Sequence, residues 1–146
     1  MKKTIYIILF CLILLFIWGN SILSREVSGA ISQFIADLFG GEHGATEEGH
    51  HFVRKLAHFS EFAALGAVYW LLVGEYTTDR ARRVLSSAFV GIFVPLTDET
   101  IQIFSGRGPL ITDVWIDAAG YLTGVVLAVF AIFLASRRSC KGDRIV

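Results

Sequence analysis

Residues 118–136 read AAGYLTGVVLAVFAIFLAS, a run without a single charged residue. A helix must offer about 20 mostly apolar residues to cross a bilayer core of roughly 30 Å. Within that core only helices and closed barrels satisfy their own backbone groups. The run therefore reads as a membrane-spanning helix, and taken back to Leu110 it carries Asp113 and Asp117 near its start. Upstream, the stretch from Val84 stays uncharged until Asp98, which is too short to cross alone. Continued to Phe104 it is long enough, with Asp98, Glu99 and Gln102 inside its far end. A further run, 56–73, carries His58 and Glu61 early, and Ile5 to Trp18 is almost wholly apolar. The sequence thus predicts an all-α integral membrane protein of one domain, 1–146, with four transmembrane helices at about 4–23, 56–73, 84–104 and 110–135.

Composition agrees. Hydrophobic residues make up 54% of the chain, and the mean hydropathy is +0.61. The formal net charge is zero, and no nucleic-acid partner is expected. Lys2-Lys3 before an apolar run also describes a secretory signal peptide. However, the run is long, no A-x-A pattern follows it, and Cys11 lacks the small preceding residue of a lipoprotein signal. An uncleaved span is the preferred reading. Cys11 and Cys140 form no CxxC pair, so neither a disulfide framework nor a thiolate zinc site is supported.

Charge sets the expected direction. With both ends in the cytoplasm, Lys2, Lys3, Arg80, Arg82, Arg83, Arg137, Arg138, Lys141 and Arg144 lie inside. Only Arg25, Arg54, Lys55 and Arg107 lie outside, as the positive-inside rule requires. In the long outer loop, Val27, Ile31, Phe34, Ile35, Leu38 and Phe39 fall at helical spacing between a capping Ser24 and a stopping Gly40-Gly41. They predict an extracytoplasmic amphipathic helix between spans one and two, either lying on the outer surface or packed onto the spans. The segment Glu42 to His51 holds Glu42, His43, Glu47, Glu48, His50 and His51, which match no defined metal spacing. It reads instead as a flexible, solvated loop.

An ionisable group inside a span costs about 2.5–3.5 kcal/mol on insertion scales, so such a group usually has a reason. On span two, Arg54, His58, Glu61 and Leu65 share a helical face, with Lys55 beside it. Asp98 and Gln102 are one turn apart on span three, with Glu99 adjacent. Asp113, Asp117, Gly120 and Gly124 make a stripe on span four, and Ser105 to Pro109 is a tight turn presenting Arg107. Topology gathers Lys55, His58, Glu61, Asp98, Glu99, Gln102, Arg107, Asp113 and Asp117 at one leaflet, on the outer face. Arg54 is read as a snorkelling anchor and Gly120-x-x-x-Gly124 as close helix packing.

Three functions fit this cluster. Lys55, His58 and Arg107 suit an anionic head group, with the acids and Gln102 orienting them, so the expected partner is a membrane lipid or a lipid-linked cell-wall precursor. A membrane hydrolase acting on a lipid phosphate is the rival. It would use His58 with Glu61, or Asp98 with Glu99, as general acid and base. Under that reading Asp98, Glu99, Asp113 and Asp117 could hold a divalent cation. No nucleophile elbow and no His-Glu-x-x-His occurs, and no cofactor or resident metal is assigned. The third reading is a structural or assembly protein whose polar cluster only locks helices together.

The blocks Arg54-Lys55-Leu56-Ala57-His58-Phe59-Ser60-Glu61-Phe62 with Leu65-Gly66, Thr97 to Phe104, Gly106-Arg107, and Asp113-Val114-Trp115-Ile116-Asp117 with Gly120 and Gly124 resemble, in that order, the VanZ-like family. The likeness covers roughly Val53 to Phe133, and the segment Ser21 to Ser32 is similar to the family's opening region. Phe62 stands where a tyrosine is frequent, and Asp117 where the family carries Asn or Asp. The resemblance implies a bacterial, multi-pass cell-membrane protein of the envelope, from a family named for a member associated with low-level teicoplanin resistance. It supplies no settled enzymatic activity and no roles for the polar residues.

Overall fold

A computed structural model describes residues 1–23, 27, 29–30, 33–34, 47–105 and 110–142. Four of its helices are long and apolar enough to cross a membrane: α1 (Lys2–Ile22), α2 (Glu47–Gly74), α3 (Arg80–Phe104) and α4 (Ile111–Gly142). No strand occurs among the described residues. The amphipathic helix expected after Ser24 and the turn holding Arg107 fall mostly or wholly outside those residues.

Local chemistry explains both ends of α3. Asp79 caps α3, its side chain accepting the Ala81 N–H at 2.9 Å. The Ser105 N–H closes the other end on the Ile101 carbonyl. α2 begins well before the apolar run, at Glu47, so residues 47–51 are helical rather than the loop expected of them. Pro95 lies inside α3, where it lacks the N–H that would reach the Gly91 carbonyl. Nearby, the Thr97 and Thr100 hydroxyls donate to the carbonyls four residues back, Phe93 and Leu96, at 2.8 and 2.7 Å.

α2 and α4 touch backbone to backbone. A Cβ at Gly124 would sit 1.8 Å from the Ala63 carbonyl oxygen, one at Gly120 2.4 Å from that of Phe59, and one at Gly66 2.1 Å from that of Tyr121. Only glycine permits this approach, the means by which membrane helices pack without a hydrophobic drive. Ile17, Phe62, Leu65, Val94 and Tyr121 fill the centre. Phe62 is fully buried there, so its lack of a hydroxyl leaves no donor to satisfy. Leu15, Phe16, Phe89, Phe93, Val126 and Leu127 face outward, as a lipid-facing surface requires.

Contacts also fix which helix ends lie together. Ser21 of α1 meets Asp98 of α3, and Arg54 of α2 meets Asp113 of α4. At the opposite end the Lys3 ammonium stands 4.9 Å from the Tyr76 ring. The end of α1, the start of α2, the end of α3 and the start of α4 therefore share one end of the bundle.

Candidate functional site

Asp98 is the anchor of the polar end. It is fully buried, and its position one turn before Gln102 sets the first contact. Gln102 Nε2 donates to Asp98 Oδ2 at 2.9 Å. Ser21 Oγ, reaching across from α1, donates to Asp98 Oδ1 at 2.6 Å. Ser21 is in turn tied to α3, because Ser105 Oγ donates to its carbonyl at 2.9 Å. The carboxylate is thus held on both oxygens before any charged group is considered.

His58 projects from α2 into the space between α3 and α4. Its Nδ1 lies 4.0 Å from Asp98 Oδ2 and 3.9 Å from Asp117 Oδ1. Both separations exceed hydrogen-bond length, so the three atoms converge without bonding one another. Asp117 is 1% exposed, and neither of its carboxylate oxygens has a hydrogen-bond partner among the described residues. Glu99 is also buried, and its Oε2 accepts the Leu110 N–H at 3.2 Å, tying α3 to the approach of α4.

A narrow cleft leads down to this group. Arg54, Lys55, His58, Glu99, Gln102, Asp113 and Asp117 line it. Arg54 and Asp113 form a loose, part-exposed pair at 3.9 Å. The cleft encloses only about 10 Å³, room for one water molecule or a bare ion. A phosphate group does not fit at its floor in this conformation.

The structure therefore brings Lys55, His58, Glu99, Gln102, Asp113 and Asp117 to one cleft, with Asp98 directly behind His58. Glu61 lines a different space, an open groove of about 390 Å³ between α1 and α2 with Leu9, Leu12, Ile13 and Phe16. Arg107 lies outside the described residues. Two participants were not assigned from the sequence. Arg54, read as an anchor, pairs with Asp113 and borders the cleft. Ser21 had a signal only in being a polar residue in an apolar span, and nothing in its spacing pointed to Asp98.

A second polar layer lies deeper. Ser87 Oγ and Tyr121 Oη are 3.1 Å apart, and the Tyr69 hydroxyl meets Ser86. These are pairs of neutral hydroxyls, which join helices without offering charge to a ligand.

Comparison with known proteins gives a family match. The model of the VanZ/LLP1 family fits residues 4–134, nearly the whole chain. No curated protein and no solved structure matches.

Proposed function

The chain belongs to the VanZ/LLP1 family, and from that premise we propose that its polar cleft takes the anionic head group of a membrane lipid or a lipid-linked cell-wall precursor. The observation that carries this reading is the placing of Arg54 and Lys55 on the cleft that descends to His58. Guanidinium and ammonium groups are the usual partners of phosphate oxygens. Because the floor is too small for a phosphate, the head group stops at the mouth, against Arg54 and Lys55. Arg107 is assigned to the same anion on sequence grounds. With both chain ends in the cytoplasm, the cleft opens at the outer leaflet of a bacterial cell membrane. Holding a cell-wall precursor there would lower sensitivity to teicoplanin-type glycopeptides.

The test is binding of a polyprenyl phosphate to the full chain in phosphatidylcholine nanodiscs. The wild type should bind it in preference to the matching polyprenol. Lys55→Ala should weaken binding about tenfold, the value of one charge-assisted hydrogen bond of ~1.4 kcal/mol. Equal binding of phosphate and alcohol, or no effect of Lys55→Ala, would contradict the reading.

Hydrolysis of a lipid phosphate is the second reading, favoured by one feature: His58 stands between two carboxylates. Release of inorganic phosphate from the same nanodiscs, lost in His58→Gln, would replace binding by catalysis.

A further inference from the structure

We propose that His58, Asp98 and Asp117 form a binding site for a single divalent transition-metal ion of the zinc or manganese class. The three residues come from α2, α3 and α4, far apart in sequence. One ligand atom from each lies within 4.8 Å of the other two. All three residues are buried. One imidazole nitrogen and two carboxylate oxygens are a donor set that zinc and manganese accept.

Proximity of acids alone would not make a site. The second observation is Asp117, which is 1% exposed and whose two oxygens lack a hydrogen-bond partner among the described residues. A buried polar group without a partner is costly, and each one in a native protein calls for an explanation. Its Oδ1 points at the space shared with His58 Nδ1. The third observation is size, since the cleft lined by His58 and Asp117 encloses about 10 Å³, the volume of one small particle.

Geometry sets what binding requires. Donors about 2.1 Å from one tetrahedral ion stand about 3.4 Å apart, so these atoms, 3.9 to at most 4.8 Å from one another, must close by roughly 0.5–1.4 Å. Side-chain torsion supplies that, and Asp98 is already held in place by the Ser21 hydroxyl on its other oxygen. Such outer partners orient a ligating carboxylate and sharpen its affinity. The remaining coordination position faces the cleft, toward Arg54 and Lys55. An ion there would also offset most of the negative charge of the acidic floor formed by Asp98, Glu99 and Asp117, easing the approach of a phosphate to Arg54 and Lys55 at the mouth. That last step rests on the head-group reading, whereas the ion site itself does not.

The experiment is zinc titration by calorimetry on the full chain in detergent, after stripping with a chelator. His43, His50 and His51 are replaced by alanine, because any histidine can bind zinc in its own right. No lipid phosphate is present, so the outcome is independent of head-group binding. One zinc per chain is expected, with micromolar affinity or better. Asp117→Asn and His58→Gln should each weaken it at least 100-fold, and Ser21→Ala about tenfold. Zinc should also raise the melting temperature of the parent chain but not that of Asp117→Asn, which separates loss of the site from loss of the fold. Millimolar or fractional binding, binding that vanishes when His43, His50 and His51 are replaced, or equal affinity in Asp117→Asn would each overturn the proposal.

Discussion

Asp98 carries more of the site's order than any other side chain. It accepts from Ser21 and Gln102 on separate oxygens and faces His58 with one of them. The Ser21 bond links α1 to the three helices that form the cleft. Hydrogen bonds between membrane helices are worth about 0.6 kcal/mol on average and up to about 1.7. The short, fully buried Ser21–Asp98 bond belongs at the upper end of that range. Ser21→Ala should therefore lower stability by about 1.5 kcal/mol in a reversible unfolding assay, and Ser21→Thr, which keeps the hydroxyl, should restore part of it. Equal loss in both would place the effect in packing instead. The Ser21 bond was not legible in the sequence beforehand. A serine in an apolar helix names no partner, and its bond to Asp98 spans 77 positions.

At the scale of the helix, the glycines of α2 and α4 decide where the polar groups meet. Gly120 and Gly124 let α4 press against Phe59 and Ala63, which stand beside His58 and Glu61 on α2. Asp117, one turn before Gly120, is thereby brought to His58. A Cβ at Gly124 would fall 1.8 Å from a backbone oxygen that has no rotamer to change. Gly124→Val should thus part the helices, costing about 3 kcal/mol or more and shifting the His58–Asp117 distance. A melting curve indistinguishable from wild type would refute that packing. The stripe Asp113, Asp117, Gly120, Gly124 was readable from spacing, because a helix repeats on a fixed turn. The true start of α2 at Glu47 was not. Its first residues, Glu47 to His51, are polar or glycine and leave no apolar period to follow.

For the molecule as a whole, the spans were legible because lipid makes a blunt demand on length and polarity. The gathering of His58, Asp98, Glu99, Gln102, Asp113 and Asp117 followed from topology, since an even number of crossings returns the same ends to the same side. What the sequence could not convey was depth. It gave no means of seeing that Asp98 and Asp117 are sealed while Arg54 and Lys55 stand higher, or that Glu61 turns to a separate groove. That division shapes the account: cations at the mouth, and below them a buried carboxylate without a hydrogen bond among the described residues. Keeping a group in such a state costs stability, as functional sites commonly do. The most direct test is Asp117→Asn, measured for melting temperature after stripping with a chelator and for polyprenyl-phosphate binding in zinc-loaded nanodiscs. The account predicts that the fold melts at the same temperature or higher while binding is weakened. A lower melting temperature with binding intact would contradict it and make the cluster a lock between helices.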